Sequence, residues 1–243
     1  MQHWDIISTG LPPRSLMMPA SRMHGEIGID SYTKLLLHMD GADTSTTFTD
    51  SSLSAHTATA NGNAQIDTAQ SKFGGASGLF DGTDDYLNLD GHADFAFGTA
   101  DFTVDFWVQL NATGIQQAFY DSRPSGGNGL YSWLGVTSGN VLFYHANSGT
   151  RITGTTALGT GAWYHIALAR SGTSTKLFLD GTQEGSTYSD SNNYIVGASR
   201  PTLATNGNSV TTNELNGWLD EVRVSKGIAR WTANFTPPIE AYI

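Results

Sequence analysis

The sequence predicts an all-β domain made of two stacked antiparallel sheets, and three observations carry that expectation. Short segments that alternate apolar and polar residues recur from residue 34 to residue 225, with no stretch of helical period between them. The connections are too short for crossover helices, so neighbouring strands must pair antiparallel. Glycine is abundant (28 of 243 residues) and charged residues make up only 14%, a composition suited to many turns. Such strands usually bury their apolar faces by stacking as two layers.

The elements follow in order. KLLLHMD (34–40) is a near-continuous apolar run. GLFDGTDDYLNLD (78–90) sets Leu79 and Asp81 against Phe80, turns through a glycine, and continues with Tyr86, Leu87 and Leu89. DFTVDFWVQL (101–110) is the clearest strand. Phe102, Val104, Phe106 and Val108 share one face, and Thr103, Asp105, Trp107 and Gln109 share the other. QAFYDS (117–122), LYSWLGVT (130–137), NVLFYHA (140–146), WYHIALARS (163–171), TKLFLDG (175–181), YIVGAS (194–199) and GWLDEVRVS (217–225) complete a set of about ten. A polar turn is expected at Ser171–Gly172, and the Asp180–Gly181 pair suits positive φ in a hairpin.

Residues 1–33 differ from the rest. They hold three of the seven prolines and four of the five methionines, without a sustained period, and read as an irregular arm. Trp4, Ile6, Ile7, Leu11 and Leu16 are unusually apolar for a free terminus. They are the candidate partner-binding residues of an anchoring arm (1–33) ahead of the domain (34–243).

Charge and composition exclude several classes. The net charge is −10, and no basic stripe reverses it locally, so nucleic acid is not an expected ligand. No run of about 18 apolar residues spans a membrane. No basic segment followed by an apolar one marks a signal peptide. Cysteine is absent, which removes disulfides, thiolate metal sites and a cysteine nucleophile.

Five segments, in order, resemble the laminin-G-like (concanavalin-A-like lectin) family. They are LLLHMDGAD (35–43), FGGASGLFDGTDDYLNL (73–89), DFTVDFWVQL (101–110), the pair WYHIALARSG and TKLFLDGTQEG (163–185), and GWLDEVRVSKGIARWTANFTPP (217–238). The chain is most similar to the form found in tailed-phage virion proteins and marine bacterial surface proteins. In that form LLLHMDG…TTFTDSS opens the domain and KGIARWTANFTPP closes it. The resemblance implies a two-sheet antiparallel jelly-roll sandwich with sugar binding or structural attachment as its usual role. Function lives in the site rather than in the fold.

On that reading the expected protein is a non-enzymatic structural, decorating or tail-associated virion component that displays a lectin-like domain toward host-surface glycans. It would contact other virion proteins through residues 1–33 and form a homo-oligomer. The alternatives are a free carbohydrate-binding module or Ca²⁺-dependent lectin, on a bacterial surface or extracellular, and third a glycoside hydrolase.

The candidate chemistry can be placed by residue. Glycosidases of this fold put acids at alternating positions on one strand, with carboxylates about 5 Å apart in the retaining class. Here the matching strand offers only Asp101 and Asp105, with Thr103 between them. There is no G-x-S-x-G, H-x-H or HExxH pattern, so the spacing does not support zinc. His165 reads as a strand residue that packs and hydrogen-bonds. Related jelly rolls hold a structural Ca²⁺ between the first strand, a turn after the second, and the last. Carried over by motif, Asp40, Asp81 or Gly82, and Asp220 would be its ligands. The competing reading is that these acids cap turns or pair with Arg223. Strict alternation places Asp220 with Trp218, Val222 and Val224, and Arg223 on the opposite face. A buried carboxylate there requires a cation or an arginine. For a sugar, the loops 121–133, 145–151, 188–194 and 205–213 offer aromatic and amide groups. Tyr131, Trp133, Asn147, Asn192 and Tyr194 are the candidate carbohydrate-binding residues.

Overall fold

The strand signals resolve into two eight-stranded antiparallel sheets in a computed structural model that describes residues 28–243. In chain order the strands are β1 (Thr33–Leu37), β2 (Phe48–Thr49), β3 (Thr57–Asn61), β4 (Gln65–Asp67), β5 (Ser77–Asp81) and β6 (Tyr86–Leu89). A 3-10 turn at Ala93–Phe95 precedes β7 (Phe102–Leu110), β8 (Gln117–Asp121), β9 (Ser132–Val136), β10 (Val141–Ala146) and β11 (Gly149–Ala157). Then come β12 (Trp163–Ser171), β13 (Ser174–Leu179), β14 (Thr182–Ser189), β15 (Thr202–Leu203) and β16 (Asn216–Lys226). The first sheet runs β14-β13-β12-β7-β16-β5-β4, with β1 also paired to β16. The second runs β11-β10-β9-β8-β15-β6-β3-β2. No helix among the described residues is long and apolar enough to cross a membrane.

β7 shows how the sandwich closes. Phe102, Val104, Phe106 and Val108 point into the shared core, as alternation predicts. The other face of β7 is buried too, with Asp105 and Thr103 at zero exposure. The cause is the chain beyond β16. Residues 227–243 fold back over the outer face of the first sheet as a strap. Trp231 and Phe235 stack at 4.1 Å and pack with Ala167, Ala169 and Phe178 into a second apolar cluster.

Two turns test the hairpin expectations. Leu179 pairs with Thr182, so Asp180 (φ 47°) and Gly181 (φ 75°) form the expected two-residue turn. The preceding turn is shifted by one residue: Ser171 pairs with Ser174, leaving Gly172–Thr173 as the turn. YIVGAS (194–199) is not a strand. Only Tyr194 makes an isolated bridge, to Gly98. Conversely β3 (TATAN), β11 (GTRITGTTA) and β14 (TQEGSTYS) carry little apolar signal. They lie at or next to sheet edges, where half of each strand meets water.

β16 departs from alternation, and this corrects the expected placement of Asp220. Its register with β7 runs Leu219 to Val108 and Asp220 to Trp107, then jumps to Arg223 opposite Asp105. One extra residue is absorbed where Glu221 takes φ 50°, a β-bulge. Asp220 and Arg223 therefore share the outer face, while Leu219, Val222 and Val224 share the core. The bulge lies where β16 changes neighbours. β5 pairs with its residues up to Leu219, and β1 pairs from Val222 onward.

The expected boundary at residue 34 also moves. Thr33 pairs with Ser225, Asp30 makes an ion pair with Arg230 at 3.0 Å, and the Ile29 amide donates to the Ile243 carbonyl. These residues belong to the sandwich. Trp4, Ile6, Ile7, Leu11 and Leu16 lie outside the described residues.

Candidate cation site and ligand-binding face

The break between β1 and β5 gathers acidic groups. Asp220 is fully buried. Its Oδ2 accepts the amides of Lys72 (2.7 Å) and Phe73 (3.1 Å), while its buried Oδ1 has no hydrogen-bond partner. Burial pushes its carboxyl up to about 7, and the nearby Glu221 and Asp40 charges push the same way. Asp40 follows β1, and burial raises its carboxyl as well. Its carboxylate lies against Gly74, which takes φ 65°, and a Cβ there would come within 2.1 Å of Asp40 Oδ1. The 70–76 loop is therefore shaped around that carboxylate. Glu221 is already engaged, accepting from His38 Nδ1 (2.8 Å) and the Tyr242 amide (2.9 Å).

Only half of the expected Ca²⁺ ligand set comes together. Asp40 stands close enough to Asp220 for its charge to act on that carboxyl. Asp81 and Gly82 do not join them. Asp81 pairs with Asn216, at the end of β16 before the bulge, and its carboxylate caps its own turn through the Thr83 amide (2.8 Å). Asp85 likewise accepts the Asp81 amide (2.9 Å) and the Asn63 amide. There the turn-capping reading holds. At Asp220 the arginine reading fails, because Arg223 belongs to another acid.

That acid is Asp105. Arg223 Nε and Nη2 reach its two oxygens at 3.1 and 3.2 Å, and the Tyr242 hydroxyl donates to it. Burial alone would raise this carboxyl, but the Arg223 guanidinium overrides it and holds the group at about 2. His165 Nε2 lies 3.8 Å away, and burial lowers the basicity of that ring. Asp101, at the other end of the candidate acid pair, accepts the Gly172 amide at 2.7 Å. It caps a turn, and Asp105 lies sealed beneath the strap.

The outer face of the second sheet is built differently. Trp133, Phe143 and Ala118 form an apolar cluster separate from the main core. Register explains it: Trp133 sits between Asp121 on β8 and His145 on β10. The Arg123 guanidinium lies 3.9 Å over the Trp133 ring, and His145 is 5.3 Å from it. Asp121 holds Arg123 from below at 2.6 Å. Trp133 Nε1 is buried without a partner. Asn147 is exposed at the tip of the β10–β11 turn, and Tyr131 is half-buried where its loop enters β9. Loops 121–133 and 205–213 also meet, through Arg123 Nη2 to Asn206 Oδ1 (2.8 Å) and the Gly126 amide to the Asn208 carbonyl (3.0 Å).

Two of the expected carbohydrate residues are withdrawn by burial. Tyr194 is 1% exposed. Its hydroxyl donates to Asp190 (2.8 Å) and accepts from Tyr144 (2.8 Å) and from Asn192 Nδ2 (3.1 Å). These residues tie the 188–194 loop to the core and offer no face to a ligand. Trp133 lies on the outer face of the second sheet, 8% exposed, with Arg123 over its ring. The sequence reading missed Arg123, Phe143 and His145. Phe143 and His145 sit two apart on β10, which is the period that could have marked them as sharing one face.

Residues 81–230 match the family model Laminin_G_3, described as the concanavalin A-like lectin/glucanases superfamily. The chain belongs to that superfamily. Among solved structures, it is similar to the binding domain of Paraclostridial Mosquitocidal Protein 1, at 14% identity and TM-score 0.63, covering 82% of this chain and 50% of that one. Domain 4 of AbnA, a GH43 extracellular arabinanase from Geobacillus stearothermophilus solved with arabinotriose, is 18% identical with TM-score 0.58. That match covers 81% of this chain and 93% of the arabinanase domain. A botulinum neurotoxin type C structure, described as dependent on two ganglioside molecules for cell entry, is 14% identical with TM-score 0.58, covering 83% and 50%. The chain thus spans half the length of both toxin structures. No curated protein matches the sequence.

Proposed function

We propose that this chain is a non-enzymatic glycan-binding module that uses the outer face of its second sheet. The carrying observation is the accessible rim of Tyr131, His145 and Asn147 around the Trp133–Phe143 cluster, which lies outside the main core and is itself nearly buried beneath Arg123. Sugars are bound by apolar surface with a few placed polar groups, and this face combines both. The arabinotriose-bound domain and the ganglioside-dependent toxin share the fold, which makes glycans the first class to test. A glycan array is expected to show binding that Tyr131→Ala and His145→Ala weaken at least about tenfold, the loss of roughly 1.4 kcal/mol. No binding to any glycan, or full binding by both variants, would sink this reading.

A structural Ca²⁺ at Asp40 and Asp220 supports the same module. The orphaned Oδ1 of Asp220 and the glycine cradle around Asp40 fit a hard cation that takes carboxylate and main-chain oxygens. The ion would neutralise the two acids where β1 and β5 abut and hold the 70–76 loop on the sheet. The apolar residues Trp4, Ile6, Ile7, Leu11 and Leu16 favour attachment to a larger assembly such as a phage particle. Removing residues 1–27 is then expected to abolish incorporation while leaving glycan binding intact.

A further inference from the structure

We infer that His56, His92 and Asp94 form a site for a divalent transition metal of the zinc type. His56 stands at the entry to β3, and the other two lie at the 3-10 turn between β6 and β7, so the sequence separates what the second sheet brings together. One ring nitrogen of each histidine and one oxygen of Asp94 all lie within 4.8 Å. His56 Nε2 is 3.2 Å and His92 Nδ1 is 3.3 Å from Asp94 Oδ2. Ligands bound at zinc-type distances stand about 3.3 Å apart around a tetrahedral ion. Two of the three separations already have that value.

The groups around His56 point the same way. His56 Nδ1 lies 2.9 Å from Asp90 Oδ2. His56 therefore stands between two carboxylates, Asp90 on Nδ1 and Asp94 on Nε2. The single proton of a neutral ring can satisfy only one of the two, and placed on Nδ1 it leaves Nε2 a lone pair for a cation. A cation between Nε2 and Asp94 Oδ2 satisfies both. A carboxylate behind the imidazole is also the arrangement that orients metal-bound histidines and raises their basicity.

The site is held in place. The His56 ring packs against Phe95 at 4.7 Å, the His56 amide donates to Asp50 (2.7 Å), and Ser54 Oγ donates to Asp94 Oδ2 (2.9 Å). His92 Nδ1 accepts the Asp94 amide at 3.2 Å, a long contact that an ion would replace. The His92 side chain is 56% exposed, which leaves an open position for water or a ligand hydroxyl. Lys34 offsets part of the Asp94 charge. Two imidazoles and one carboxylate favour zinc, cobalt or nickel over calcium, so this site and the Asp40–Asp220 site differ in the ions they take.

The test uses tag-free full-length protein in excess Ca²⁺, titrated with Zn²⁺ by calorimetry and with Co²⁺ by visible absorption. Wild type is expected to take up an equivalent that gives the spectrum of nitrogen-ligated cobalt. Asp90→Asn should weaken it about tenfold, and His92→Ala or Asp94→Asn by more. Asp220→Asn should leave it unchanged. His92 is on the surface, so His92→Ala is expected to melt with the metal-free wild type. Absence of saturable uptake by wild type would overturn the assignment, as would a His92→Ala variant with the wild-type affinity and spectrum.

Discussion

The two sheets of this sandwich share one core but treat their outer faces in opposite ways. On the first sheet the strap seals Asp105, Arg223, His165 and Tyr242 from water. Every charge there is matched, and the group serves cohesion. On the second sheet Trp133 and Phe143 also form a cluster outside the main core, yet it keeps an open edge at His145. Unpartnered buried groups do not separate the two faces, because His165 Nδ1 and Trp231 Nε1 are buried without a partner in and beneath the strap. What differs is cover, supplied by the chain itself on the first sheet and incomplete at the rim on the second.

The sharpest way to break this comparison is at the sealed face. Arg223→Ala leaves Asp105 buried and uncompensated and should cost about 3–5 kcal/mol, measured by denaturant unfolding. A cost below about 1 kcal/mol would mean the network is not structural.

Asp220 gives the next largest effect, and the sign follows from linkage. Its carboxyl is raised to about 7, so without a cation the folded state holds a proton that the unfolded chain has released. Stability should then fall as pH rises from about 4 to about 7. In chelator at pH 8, Asp220→Asn should melt above wild type, by roughly 5 °C for about 2 kcal/mol. Adding Ca²⁺ at pH 8 should raise the melting temperature of wild type and not of the variant, with a smaller rise at pH 5. A Ca²⁺ effect that is equal in both proteins would place the ion elsewhere.

The smallest stability effect is expected on the open face. His145→Ala should change unfolding by less than about 0.5 kcal/mol while lowering glycan binding. A stability loss comparable to that of Arg223→Ala would erase the distinction between the two faces.

Much of the fold was legible because a strand with one face in the core writes its environment as a period of two. β7, β8, β9, β10, β12 and β13 announced themselves in this way. Edge strands such as β3 and β14 did not, since threonine, serine and glycine serve solvent and turn alike. The candidate sites were less legible. The motif put forward Asp40 and Asp220, which come near each other, but drew in Asp81 with them because a sequence does not say which end of a strand an acid occupies. Tyr194 and Asn192 looked like loop ligands because composition does not distinguish a solvated hydroxyl from one hydrogen-bonded inside the core.

The alternation of apolar residues, the turn pairs and the acidic charge are local properties, and they were enough to specify an all-β sandwich with a closing strand at 217–225. What the strap covers, where β16 bulges, and which histidines meet across β3 and β6 depend on contacts between residues far apart in the chain. One inserted residue at Glu221 exchanges the faces of everything beyond it. No periodicity upstream encodes that exchange, so only the assembled sheets decide it.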